Sequence, residues 1–280
     1  MTFRKFKRRL VVFFTGENRR ARLKAEIREE LAAGLKREMS REFRQQLKQE
    51  RAKWNKREKE RRKPKGVITG LEGNTLHQEN GSSFTGKIAF SRRGQGNVVR
   101  FAEGSHFSGK LKVGGHGNVV EFGPHTRIRG TLAVGGEGVR LVFGDYTTTV
   151  DIFLVAGWQD ILIGKWCMIS RRVEIRSNDS HSVVERETGL TLNTPEPVIV
   201  GDHVWICAGV HVNKGSRIPS DCIVAAMSFV NRAFEETGVI LGGIPAKIIR
   251  RGVTWNRKML EKFSARQLDY RIYNQRGDEI

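Results

Sequence analysis

Six aliphatic residues stand at an unbroken spacing of six: Val200, Ile206, Val212, Ile218, Val224 and Val230. Four residues after five of them come Val204, Val210, Ser216, Cys222 and Ser228, all small or β-branched. A strand alternates with period two and a helix with 3.6, so neither explains this pattern. A triangular coil does: three short strands make one turn of eighteen residues, with the aliphatic side chain pointing inward and the small residue near a corner. Stacked coils then put Val200 under Ile218, Ile206 under Val224 and Val212 under Val230. The same ladder precedes it as Ile163, Ile169 and Ile175, with Cys167 and Val173 at the small-residue places.

Farther upstream the repeat lengthens. Gly96-Asn97-Val98-Val99-Arg100-Phe101 returns as Gly117-Asn118-Val119-Val120-Glu121-Phe122, a period of 21. Phe84-Thr85-Gly86-Lys87-Ile88 returns as Phe107-Ser108-Gly109-Lys110-Leu111, a period of 23. Such coils are eighteen-residue turns with small corner insertions. The pattern predicts an all-β fold, one parallel solenoid over residues 67–250. Its open ends need caps. An N-terminal arm, 1–66, and a helical C-terminal cap or tail, 251–280, are placed to supply them.

Within the arm, Leu23, Ile27, Leu31, Leu35, Met39, Phe43 and Leu47 recur every fourth residue, and 18–62 contains no proline. This predicts a helix whose apolar stripe drifts, unlike a heptad seam. Charge is unevenly spread. The chain carries a formal net charge of +20, and residues 1–66 hold 24 Lys and Arg against 9 Asp and Glu. Five basic residues interleave with Phe3, Phe6 and the Leu10–Phe14 run, a composition suited to an anionic membrane surface. Phosphates of a nucleic acid are the other anionic partner such a segment could hold; the adjoining apolar run favours the membrane. The plainer reading of helix 18–62 is a solvated helix resting its stripe on its own body or on a neighbouring subunit. No run of about 18 apolar residues predicts a spanning helix, and the five-residue apolar run near the start is too short for a secretory signal. Cys167, Cys222 and Cys207 suggest no disulfide framework. The first two read as small buried hydrophobes, and a reducing, cytoplasmic setting is the simpler expectation.

The ladder breaks once. After Ile175 the next aliphatic position is 181, but His181 stands there and the ladder resumes at Val200, 19 residues late. So long an excursion from a regular coil points to a use. Three segments here, Val173-Glu174-Ile175-Arg176-Ser177-Asn178-Asp179-Ser180-His181-Ser182, Val200-Gly201-Asp202-His203-Val204-Trp205-Ile206 and Gly243-Ile244-Pro245-Ala246-Lys247-Ile248-Ile249, carry a resemblance. From about Ile163 to Arg251 the chain resembles the hexapeptide-repeat acyltransferases, and most of all the bacterial O-acetyltransferases of capsules and other surface polysaccharides.

The resemblance implies a left-handed parallel β-helix, a homotrimer whose groove is completed by an adjacent subunit, acetyl-CoA as co-substrate, and a carbohydrate acceptor in capsule or lipopolysaccharide; an arm holding the enzyme to a membrane would suit a lipid-linked glycan. It implies that His181 is the catalytic base, that Trp205 lines the groove near it, and that Ala208 and Ala226 let the pantetheine pass. Asn231, Arg232 and Lys247 would approach the nucleotide phosphates. Cys207, Ala225 and Met227 depart from the family pattern, standing where glycines are usual or frequent.

The chemistry suits those residue types. Acyl transfer to a hydroxyl needs a base that takes the proton as oxygen attacks the thioester carbon, and an imidazole titrates in the right range. Asp179 or Glu174 could orient the ring, or a backbone carbonyl could. A backbone N–H near Ala208, or the Trp205 indole, could donate to the oxyanion. The plainer readings are a turn-capping histidine and an exposed tryptophan covering the excursion. Two rivals share the fold class. A γ-class carbonic anhydrase needs three converging histidines, and His181, His203 and His211 are numerous enough, but Asp202-His203-Val204-Trp205 matches the transferase pattern. A non-enzymatic scaffold or nucleic-acid binder is favoured by the basic arm and disfavoured by the excursion and the Gly-Ile-Pro-Ala-Lys segment. His106, His116 and His125 recur with the upstream repeat and read as turn residues.

Overall fold

In a computed structural model of the chain, residues 66–272 are described. All but the last residue of the expected basic arm, and residues 273–280, lie outside them. The first coils alternate strands in chain order: β1 (Val67–Thr69), β2 (Thr75–Gln78), β3 (Ser83–Phe90), β4 (Val98–Phe101), β5 (His106–Val113), β6 (Val119–Phe122), β7 (Arg127–Gly135), β8 (Arg140–Phe143), β9 (Thr148–Gly157), β10 (Ile161–Ile163) and β11 (Met168–Arg176). Shorter strands follow: β12 (Val198–Val200), β13 (Trp205–Ile206), β14 (His211–Val212), β15 (Arg217–Ile218), β16 (Ile223–Val224), β17 (Phe229–Val230), β18 (Val239–Gly243) and β19 (Ala246–Arg251). One sheet is the parallel stack β15-β12-β10-β8-β6-β4-β2. The other contains the long strands, and each bends across a corner. Thus β11 pairs β13 through Met168↔Trp205 and β14 through Glu174↔His211. The body is therefore a three-sided parallel solenoid.

The ladder falls where the spacing requires. Val200 pairs Ile218, Ile206 pairs Val224 and Val212 pairs Val230. These side chains and their small-residue partners are buried. Cys167 and Cys222 are buried among them, and burial pushes the Cys167 thiol up to about 12. The upstream periods are also register: Phe84 pairs Phe107, and Val98 pairs Val119. Inside these longer coils Phe84, Phe101, Phe122 and Phe143 stack at centroid separations of 5.9, 4.6 and 5.6 Å. Their extra residues sit at the corner between the second and third sides. There Asn97 and Asn118, both fully buried, link successive coils: Asn118 Nδ2 donates to Asn97 Oδ1 at 2.9 Å, and Asn118 Oδ1 accepts from Val139 N at 2.7 Å. His125 occupies a positive-φ turn with its ring tilted against Tyr146, while His106 opens β5.

The C-terminal segment differs from the expected helical cap. The end of the solenoid is closed by β19, which folds back antiparallel on β18. Beyond it the chain is mostly extended, with one four-residue helix, α1 (Ala265–Leu268), and one 3-10 turn (Tyr270–Ile272). It runs back along the side of the coils. Trp255 Nε1 donates to the His203 carbonyl at 2.8 Å, and Arg257 donates to Thr148 Oγ1 and the Cys167 carbonyl. The imidazole of His203 is sandwiched between the rings of Trp255 and Tyr270, at 4.4 and 4.0 Å. Docking of aromatic rings and one buried guanidinium onto the coil flank, rather than a helical stripe, orders this strap.

Candidate functional site

The excursion leaves the second side after Arg176 and returns at Val198, at the corner that already carries the upstream insertions. Its first residues are firmly held. Ser177 and Asn178 are buried, and Ser177 Oγ accepts from Gly157 N at 2.9 Å. Asn178 Oδ1 accepts from Ser180 N at 2.9 Å, which supports a positive φ of 64° at Ser180. The outer part is a small hairpin in which Glu185 N donates to the Leu190 carbonyl and Leu192 N to the Val183 carbonyl.

His181 is exposed at the rim of a cleft of about 390 Å³ lined also by Trp158, Gln159, Asn178, Ser182 and Thr191. Among the described residues its imidazole makes no hydrogen bond. The backbone beneath it is fixed instead. Asn193 Nδ2 donates to the His181 carbonyl at 2.9 Å and to Asp179 Oδ2 at 2.8 Å. Lys214 Nζ donates to the same Asp179 oxygen at 2.6 Å. The Lys214 hydrogen bond, reinforced by Asn193, holds the Asp179 carboxyl below the usual carboxylate range against a smaller opposing effect of burial. Asp179 thus reaches His181 through Asn193 and the main chain, not through the ring. Glu174 is engaged by Arg176 and lies 3.6 Å from His211 Nδ1. Neither Asn193 nor Lys214 was marked by the sequence pattern, since both act through contacts across the excursion.

The other expected site residues lie elsewhere on the solenoid. Trp205 sits on the first side, in β13, and its ring is tilted against Trp255 at 5.9 Å. Its indole N–H is buried and has no hydrogen-bond partner among the described residues. Ala208 and Ala226 occupy the corner between the first and second sides on successive coils, Met227 N donating to the Ala208 carbonyl at 3.0 Å. Ala226 is exposed, and among the described residues neither alanine's backbone N–H makes a hydrogen bond. Two small side chains with unused backbone N–H donors thus stand one coil apart at this corner. Met227, 65% exposed, lies over Gly209 beside them and narrows that corner. Asn231, Arg232 and Lys247 gather near the β19 end. The Arg232 guanidinium donates to the Ala246 carbonyl at 3.2 Å and lies over the Phe234 ring, while Lys247 is exposed. His181 and the Ala208–Ala226 corner flank opposite edges of the second side, separated by about five residues of strand, roughly 16 Å. Within one chain, His181 and that corner therefore stand apart.

No family model matches the chain. It is 31% identical over 99 residues to a polysialic acid O-acetyltransferase of Neisseria meningitidis, covering 35% of this chain and 46% of that protein. It is 29% identical over 109 residues to a putative lipopolysaccharide biosynthesis O-acetyl transferase, WbbJ, of Escherichia coli strain K12, covering 36% and 55%. A polysialic acid O-acetyltransferase of Escherichia coli O1:K1 / APEC is 28% identical over 98 residues, covering 35% of this chain and 32% of its own length. The chain thus matches about half, or less, of the length of these relatives. In fold it is similar to the crystal structure of the polySia specific acetyltransferase NeuO, with a TM-score of 0.64 at 23% identity, over 74% of this chain and 93% of that one. In repeat, in fold and in sequence relatives, the chain resembles the hexapeptide-repeat acyltransferases, and among them the bacterial O-acetyltransferases of surface polysaccharides.

Proposed function

We propose that this protein is an acetyl-CoA-dependent O-acetyltransferase that acetylates a hydroxyl of a capsule or lipopolysaccharide sugar. The observation that carries the reading is the unpaired imidazole of His181, exposed in a cleft on an excursion whose backbone is pinned by Asn193, Asp179 and Lys214. The imidazole takes the hydroxyl proton as the sugar oxygen attacks the thioester carbonyl. The new C–O bond forms, the C–S bond breaks, and the proton passes to the departing CoA sulfur. Direct transfer is the natural route, because both substrates can be held together and, among the described residues, no activated nucleophile stands beside His181.

In this reading acetyl-CoA lies along the Ala208–Ala226 corner of a left-handed coil, with Asn231, Arg232 and Lys247 toward its phosphates. The backbone N–H near Ala208 is the better oxyanion donor, since the Trp205 indole N–H is buried beside the strap. The separation of His181 from that corner supports a shared site in a homotrimer, the base from one subunit facing the corner of the next.

The domain division follows: solenoid over 67–250, tail over 251–280, and the basic arm over 1–66 as an attachment to the inner face of a membrane. Such an arm would suit a cytoplasmic enzyme acting on a lipid-linked glycan. Among the described residues no helix is long and apolar enough to cross a membrane. Deleting residues 1–14 should move the protein from the membrane fraction to the supernatant; unchanged partition would remove the arm from the account.

The reaction is tested by transfer of radiolabelled acetyl from acetyl-CoA to surface-glycan extract of the source organism. Alkali-labile label is expected with wild type and a fall of about 10²–10⁴-fold with His181→Ala. Full label in the variant would mean a different base, and no label with either enzyme would refute the acceptor class.

A further inference from the structure

Trp158 is the least explained large side chain of the solenoid. It is 64% exposed, although a buried tryptophan would stabilise the fold. Its φ is 58°, a conformation uncommon for bulky residues. The two preceding coils carry Gly136 and Gly115 at this place, also with positive φ, at 119° and 79°. The repeat therefore offers glycine, and a tryptophan stands there instead. Such a strained, exposed aromatic in a cleft is a hypothesis of function.

Its surroundings say for what. The indole lines the cleft that contains His181. Trp158 N donates to the Gly135 carbonyl at 2.9 Å, which fixes the backbone. Before it, Gly157 lies so near Asn178 that a Cβ would meet the amide at 1.7 Å, so the two segments are locked together. The lining includes Pro195 and the Asp179 carboxylate, already paired with Lys214 and Asn193; beside these, Gln159, Ser182 and Thr191 present an amide and two hydroxyls that make no hydrogen bonds among the described residues. A flat apolar face edged by neutral donors and acceptors matches a pyranose, whose C–H face is apolar and whose rim is hydroxylated. It does not match the phosphates of CoA, which need cations. An adenine stacked here would leave the nucleotide, not the thioester, beside the base.

We propose that Trp158 is the platform on which the acceptor sugar stacks, with Gln159, Ser182 and Thr191 reading its rim so that one hydroxyl faces His181. This rests on the acetyltransferase reading and adds the acceptor subsite to it. The tryptophan acts by positioning and takes no part in proton transfer.

The test uses the full chain, with oligosaccharides released by mild acid from the surface glycan of the source organism as acceptor. Trp158→Asn removes the platform while suiting the left-handed backbone; Trp158→Tyr keeps an aromatic face. The Asn variant should raise KM for the glycan about tenfold, with KM for acetyl-CoA and the oligomer mass unchanged, and the Tyr variant should recover most of the loss. An unchanged glycan KM in Trp158→Asn overturns the platform and leaves the acetyltransferase reading standing. A raised acetyl-CoA KM or a dissociated oligomer also overturns it, in favour of a cofactor or subunit contact. No transfer by the wild type would sink the parent reading and this proposal together.

Discussion

Asp179 lines the cleft beside His181, yet it reaches the histidine only through a neighbouring amide. Its carboxylate is tied to Lys214 at 2.6 Å and to Asn193 at 2.8 Å, and Asn193 in turn grips the His181 carbonyl. Because its pKa is lowered in the folded state, chiefly by Lys214, the folded protein binds fewer protons here than the unfolded chain does. The stability from this contact is complete above the unfolded carboxylate value of about 3.9. It is lost as pH falls through the depressed folded value. Lys214→Met removes the main cause, so the carboxyl should titrate nearer its ordinary range and the excursion should loosen at a higher pH. Amide exchange across residues 179–193, followed from neutral to acid pH, checks this; identical profiles for variant and wild type would show that Lys214 does not anchor the segment. His181 was legible because it interrupts a ladder of period six. Trp158 was legible in principle, as the tryptophan in a column of glycines, but only once a period near 21 is aligned coil by coil. Asn193 and Lys214 carry no such signal. Their roles come from where the excursion folds, and no spacing rule fixes that.

At the scale of elements, the ladder and the register were written in the sequence almost completely. A period set by coil geometry leaves little choice of pairing, since a slip of one residue would turn the inward aliphatic side chains out to water. The asparagines of the Gly-Asn-Val-Val repeat had a structural role that the repeat did not reveal. Asn118 Nδ2 also donates to the Gly114 carbonyl at 2.7 Å, so one buried amide satisfies main-chain groups on two coils. Leaving each such buried group unpaired costs about 1–3 kcal/mol. Asn118→Ala should therefore destabilise the upstream coils by at least about 2 kcal/mol, far more than Asn74→Ala, whose side chain is only half-buried at the ladder's end. Urea unfolding of the two variants decides it, equal midpoints being the contrary result. The C-terminal strap was not legible. Its order comes from slots for Trp255, Tyr270 and Arg257 that exist only after the coils have stacked. The Arg257 guanidinium is lowered to about 10 by burial there, a cost that no local sequence preference would suggest.

For the molecule as a whole, the decisive geometry is that its chemical parts occupy different edges of one prism. His181 stands on the corner between the second and third sides, and Ala208 and Ala226 on the corner between the first and second. A rigid solenoid cannot fold one corner onto the other, so on the proposed reading a second chain supplies the other half of the site. Two defective chains should then repair each other. His181→Ala abolishes the base and leaves the corner open. Ala226→Trp blocks the corner, at an exposed position that does not disturb the core, and leaves the base intact. Each homo-oligomer should be inactive. When the two are mixed, unfolded and refolded together, some sites will combine the intact His181 of one chain with the open corner of the other, and acetyl transfer should return. A site contained within one chain predicts the opposite: every site in the mixture would carry one of the two defects, and activity would stay absent even though light scattering and differential tagging showed mixed oligomers.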